Sequence, residues 1–191
     1  MAKTLAGDSP PRAEDLLRNA GDAARGGLPP VHLWNPPFCG DLDMRIARDG
    51  TWFYLGTPIG RPEMVRLFST ILKREGDDYF LVTPVEKVGI RVDDAPFVAV
   101  DFTHGDDEIT FVTNVGDEVT ASPDNPIRVE RDSQTQEPSP YVHIRRDLWA
   151  LIDRKSFYRL VELGGIEGDW FGVHSGGAFW QIAPAATLEG I

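Results

Sequence analysis

Between Asp78 and Arg131 the chain shows no helical period. Six short apolar-rich runs follow one another instead, at Tyr79–Thr83, Val88–Val92, Phe97–Phe102, Ile109–Thr113, Glu118–Thr120 and Ile127–Glu130. Gly-Asp, Asp-Asp and Pro-Asp-Asn-Pro separate them, and these side chains favour turns by bonding their own backbone or fixing φ. Apolar and polar residues alternate in Ile90-Arg91-Val92 and Val98-Ala99-Val100-Asp101-Phe102. That period places one strand face in water and one in a core, the mark of antiparallel sheet.

Helical patterns flank this block. Met44–Arg48 and Thr51–Leu55 read as a hairpin around Asp49-Gly50, a type I′ signal because both central residues then need positive φ. Thr57-Pro58-Ile59-Gly60 ends the second strand. A helix follows from Pro62, with Met64, Leu67, Phe68, Ile71 and Leu72 on one buried face, Lys73 and Arg74 in its last turn and Gly76 as its stop. After a polar loop at Asp132–Ser139, Tyr141–Ile144 and Trp149–Leu151 are strands. Ser156, Phe157, Leu160 and Val161 lie in a helix ended by Gly164-Gly165, and Trp170–His174 and Ala178–Ile182 form a last hairpin. Upstream, Val31–Asp41 is too proline-rich for a helix or a central strand and reads as an extended strap that buries Trp34, Phe38 and Cys39. Residues 1–30 read as a tail with one short helix, capped by Ser9, striped by Ala13, Leu16 and Leu17 and stopped at Gly21.

Two segments resemble each other. Ile46-Ala47-Arg48-Asp49 before Trp52 matches Ile144-Arg145-Arg146-Asp147 before Trp149, and each leads to a helix and then an aromatic strand. The reading is an α+β fold of two related strand–strand–helix units with antiparallel sheets. The N-terminal half spans 31–132 and the C-terminal half 133–191, with the central strands free to pack on the latter.

The chain holds 30 acids against 19 bases, a formal charge of −11. Such a surface repels phosphate backbones, so a nucleic-acid polymer is not an expected partner. The charge is uneven: Gly76–Asp132 carries 14 acids and 4 bases, while Met44–Glu75 and Pro140–Leu163 are mildly basic. The acids solvating exposed strand faces is the plainer account of the middle block. No run is long and apolar enough to span a bilayer, and the first residues lack a secretory core. One cysteine, Cys39, fits a reducing, cytoplasmic setting, as a small buried group or a redox-sensitive thiol.

Sharper chemistries fit poorly. Val173-His174-Ser175-Gly176-Gly177 lacks the glycine two residues before the serine that a nucleophile elbow needs, and no histidine follows. Gly56-Thr57-Pro58-Ile59-Gly60-Arg61 is one residue short of a phosphate loop and has arginine for lysine, leaving at most a weak anion site at Arg61. His32, His104, His143 and His174 are too dispersed for a zinc site, and Arg45 and Ile46 spoil a calcium loop at Asp41 and Asp43. No catalytic residue, metal or cofactor is expected.

The strings WNPPFCGDLDMRI, DGTWFYLGTPIGRPEMVRLFSTIL, DYFLVTPVEKVGIRVDDAPFVAVDF and YVHIRRDLWALIDRKSFYRLVE resemble the bacterial family of the domain of unknown function 1285, over roughly residues 31–183. The resemblance implies an α+β core with motifs repeated in two halves and a C-terminal half loosely similar to pleckstrin-homology folds. It implies no established activity, and suggests a nucleotide-like ligand between the halves and a signalling role.

The expectation is therefore a binding module for a small anionic, nucleotide-like ligand held between two related halves. Arg48, Lys87, Arg91 and Arg145 take the negative charge, Trp34 stacks, and Asn35 and His143 hydrogen-bond to the ligand. Arg146, Tyr54 and Trp149 extend that basic and aromatic set. Three alternatives stand beside it: these arginines simply pair with neighbouring acids, the chain is a protein-interaction or scaffold module using exposed strand edges and the acidic block, or it is an enzyme of a class for which no acid–base pair or nucleophile is visible. The oligomeric state is not readable.

Overall fold

The computed structural model describes residues 10–188. The Ser9 cap lies outside them. Two compact units divide the chain. The first comprises the residues up to Ala47 with Thr51–Asp93, the second the turn Arg48–Gly50 with Asp94 onward. The boundary set at 132 is thus corrected to Asp93/Asp94, because the strands from Phe97 to Arg131 pair within the C-terminal sheet rather than the N-terminal one.

The first unit contains α1 (Ala13–Ala23), β1 (Phe38–Ile46), β2 (Trp52–Tyr54), β3 (Thr57–Pro58), α2 (Pro62–Thr70), β4 (Leu72–Glu75), β5 (Asp78–Val82) and β6 (Lys87–Val92). Its six-stranded sheet has the order β3-β2-β1-β6-β5-β4. The second contains β7 (Phe97–Gly105), β8 (Glu108–Thr113), β9 (Glu118–Thr120), β10 (Ile127–Arg131), β11 (Pro138–Arg145), β12 (Leu148–Ile152), α3 (Arg154–Glu162), β13 (Gly165–Glu167), β14 (Trp170–Ser175) and β15 (Ala178–Pro184). Its sheet runs β10-β11-β12-β7-β8-β9, and β13-β14-β15 form a small third sheet.

The fold is α+β and its halves are related. Each large sheet joins two three-stranded antiparallel meanders through one parallel pair, β1 with β6 and β12 with β7. In both, the first strand of the unit lies beside the sixth, so the strand order is the same. Alternation foretold the antiparallel pairs but not these parallel ones, which bring together strands distant in sequence. A hairpin followed by a helix also recurs, at β1–β2 before α2 and β11–β12 before α3, but the copies occupy different positions in the strand order.

Local chemistry explains the element ends. Ser69 and Thr70 hydroxyls donate to the carbonyls of Arg66 and Leu67 at 2.6 Å, competing with the helix ladder. α2 stops there, not at Gly76, and Lys73 and Arg74 belong to β4. Gly76, φ 63°, serves the β4–β5 turn. At the first hairpin only Gly50 takes positive φ, 88°, and Ala47 N bonds to Thr51 O, so the turn is wider than type I′. α1 runs through Gly21 and buries Leu16 and Ala20 in contact with α2, so it is part of the first unit rather than a tail.

Trp52 and Phe68, both fully buried, stack with centroids 6.2 Å apart at the centre of the first core, with Met44, Ile46, Leu72 and Leu81 around them. The second core gathers Phe97, Ile109, Phe111, Val142 and Leu148. Buried Ser175 pins the last hairpin: its Oγ accepts from Ile109 N at 2.9 Å and donates to Ala121 O at 2.8 Å. This is a structural role, in keeping with a turn rather than a nucleophile. The strap does not bury its side chains as expected. Val31 is buried, but Phe38 and Cys39, the first two residues of β1, are both exposed. No helix of the described residues is long and apolar enough to cross a membrane.

Candidate functional site

The seven residues singled out from sequence divide between the units. Trp34, Asn35, Lys87 and Arg91 belong to the first, Arg48, His143 and Arg145 to the second.

In the first unit, Lys87 Nζ lies 2.9 Å from Glu75 Oε2 and 4.7 Å from the centroid of the Phe80 ring. Hydrogen bonds from Lys73 and Lys87 hold the Glu75 carboxyl below its ordinary range. Arg91, four residues along the same strand, is largely solvated and only 3.8 Å from Asp93, a carboxylate already gripped by Arg45 and lowered by it. Trp34 is half-buried at the end of a single 3-10 turn and Asn35 is exposed.

In the second unit two residues have partners within the fold. Arg145 sits on β11 with its guanidinium against Asp117 and 4.9 Å from the centroid of the Phe97 ring. His143 has both ring nitrogens engaged. Nε2 donates to the Arg146 carbonyl, which leaves Nδ1 to accept from Asn125 Nδ2 at 3.2 Å, and the ring packs edge-on to Trp149.

Arg48 is different. It borders a cleft of about 420 Å³ in the second unit, between the start of β11 and the first turns of α3. Its NH1 lies 3.0 Å from Asp94 Oδ2 and its NH2 donates to Ser139 Oγ at 3.0 Å. Tyr141 holds the other Asp94 oxygen at 2.8 Å. Burial first, then the bond to Asp94, push the Tyr141 phenol up to about 12. Across the cleft, α3 begins where Asp153 accepts from Ser156 N at 2.7 Å, a side-chain N-cap. That start places Arg154, Phe157 and Tyr158 in the wall. Arg154 reaches Glu137 at 3.7 Å and lies 6.0 Å from the Tyr158 ring, a loose hold that solvent competes with.

The cleft therefore offers two guanidiniums, the Ser139 and Tyr158 hydroxyls and two aromatic rings. Sequence reasoning placed Phe157 in a helix but missed Arg154, Tyr158 and Ser139 as a group. The cap residue before Arg-Lys-Ser-Phe-Tyr was the readable signal, since it fixes where the helix begins and which side chains its first turn presents. Among the described residues no group of three or more His, Cys, Asp or Glu side chains could hold a metal ion.

Two family models cover the chain in tandem: the N-terminal domain of the domain of unknown function DUF1285 matches residues 29–95, and its C-terminal domain residues 96–182. The chain belongs to the DUF1285 family. The family's own division at 95/96 lies close to the structural one at Asp93/Asp94. A crystal structure of a DUF1285 family protein from Silicibacter pomeroyi DSS-3 is 62% identical, with a TM-score of 0.84, covering 91% of this chain and 97% of that one. Another, from Shewanella baltica OS155, is 31% identical with a TM-score of 0.52, covering 63% of this chain and 91% of that one. No curated protein matches.

Proposed function

We propose that this member of the family is a binding module whose C-terminal unit holds a small organic anion between Arg48 and Arg154. The cleft carries the reading. Its volume of about 420 Å³ lies in the usual range for small-molecule sites, and charged donors and aromatic walls meet in it from separate parts of the chain. Asp94 and Ser139 orient Arg48, so its fork is ordered before a ligand arrives. Glu137 and Asp153 share the lining, which favours a ligand of low charge: a carboxylate or a phosphate monoester with a ring laid on Tyr158. A nucleotide-like ligand fits as a monophosphate better than as a triphosphate. A cytoplasmic setting and a signalling role suit such a module, and the free, exposed Cys39 is compatible with a reducing compartment.

Thermal-shift measurements with adenosine monophosphate, adenosine triphosphate and indole-3-acetate test this. Ligand at a hundredfold excess over its Kd stabilises by about 2.7 kcal/mol. The monophosphate or the aromatic acid raises the midpoint, the triphosphate does so less, and Arg48→Ala abolishes the rise. A flat response to all three, or an undiminished shift in Arg48→Ala, removes the proposal.

A further inference from the structure

We infer that the outer edge of β10 is a docking groove for an extended, acidic peptide segment of a partner protein. This goes beyond the Arg48 cleft and does not depend on it. The groove has a volume of about 520 Å³. Ile127, Arg128, Val129 and Arg131 of β10 form one side, and Trp170 with Phe179 and Trp180 forms the other.

Charge selects the occupant. The lining holds two arginines and neither aspartate nor glutamate, in a chain with 30 acids against 19 bases. A positive groove on an acidic protein attracts carboxylates and disfavours basic segments. Arg128 lies 4.1 Å from the centroid of the Trp149 ring and lines the groove, and its pair with Glu130 at 3.1 Å is solvent-exposed and easily exchanged.

The backbone selects an extended conformation. β10 is the terminal strand of its sheet. His143 N donates to Pro126 O at 3.0 Å and Asp132 N to Glu137 O at 3.0 Å, so the even-numbered residues of this stretch face β11. Pairing alternates along an antiparallel strand, so Ile127, Val129 and Arg131 turn their N–H and C=O outward. Such a row is a template for one more strand. Arg131 closes one end, donating to Gln136 O at 3.1 Å and to Ile182 O of β15 at 3.2 Å. Ile127 and Val129 remain as the pairing positions.

The far wall selects an apolar component. Trp170 is 37% exposed, and Phe179 and Trp180 are half-buried beside it. Aromatic residues and arginine are the types that concentrate interface energy. Because side chains alternate along a strand, the fitting segment interleaves carboxylates for the arginines with apolar residues for the rings.

Panning the full chain against a displayed library of random nine-residue peptides tests this, followed by fluorescence polarisation of the enriched peptides. Expected are sequences that combine Asp or Glu with aromatic or aliphatic residues. Their affinity falls roughly tenfold or more in Arg128→Glu and in Trp170→Ser, both surface changes whose folding circular dichroism verifies. Backbone N-methylation at alternate peptide positions weakens binding, and Arg48→Ala leaves it unchanged. Enrichment of basic peptides, or affinities unchanged in both variants, overturns the inference. So does Trp170-dependent self-association in sedimentation, which would assign the groove to a second copy of the chain.

Discussion

Replacing Arg145 with methionine keeps the bulk of the side chain and removes its charge. The guanidinium is only 13% exposed, contacts Asp117, itself 27% exposed, and lies 4.9 Å from the Phe97 ring centroid. Removing one partner of a buried pair costs about 3–5 kcal/mol, because the remaining charge is stranded. Partial solvation of Asp117 places this case at the lower end, about 3 kcal/mol. With a urea m-value of about 1–3 kcal/mol/M, the unfolding midpoint falls by roughly 1–3 M. Tryptophan fluorescence during urea titration reads it. Adding Asp117→Asn to Arg145→Met restores part of the loss, since no carboxylate is then orphaned, and the double-mutant cycle gives a coupling of about 1–3 kcal/mol. Stabilisation by adenosine monophosphate, if the Arg48 cleft binds it, survives Arg145→Met once the lower starting midpoint is subtracted. An Arg145→Met protein that unfolds with the wild-type midpoint yet loses the ligand response is the contrary result. Arg145 would then be the ligand contact that the sequence suggested, and its pairing with Asp117 incidental.

Two further outcomes follow from the same unit. The neutral Tyr141 phenol is favoured in the fold, so its contribution to stability is complete below the ordinary phenol value near 10 and is lost as pH rises through about 12; ultraviolet difference titration should show one late-ionising phenol that disappears in Tyr141→Phe. Gly50 has φ 88° and an added Cβ would lie 2.7 Å from Asn114 Nδ2, so Gly50→Ala should destabilise by about 1–3 kcal/mol in chemical denaturation, whereas Gly56→Ala, strained in φ but meeting no atom within 4 Å, should cost less.

Most strand positions were legible because alternation and turn chemistry are local. Glu118–Thr120 matches to the residue, and the runs at 79–83, 88–92 and 109–113 differ from the strands by a residue at one or both ends. The overlong helix was a local error with a local cause. Ile71 and Leu72 continue the helical spacing of Met64, Leu67 and Phe68, but they are buried from the mouth of a strand that pairs with Asp78–Val82. The candidate site was less legible. Arginine, histidine and lysine could be counted from the sequence, but which acid stands beside each could not.

By itself the sequence determined the α+β class, the two related halves, the hairpins and the acidic balance, since these depend on neighbours within a few residues and on summed charge. Tertiary structure decided the rest. It placed β1 beside β6 and β12 beside β7, committed Lys87, His143 and Arg145 to Glu75, Asn125 and Asp117, and left Arg48 bordering a cleft with Arg154. The physical reason is range. A side chain's propensity acts over one turn, whereas the partner of a guanidinium is set by which distant strands the chain pairs.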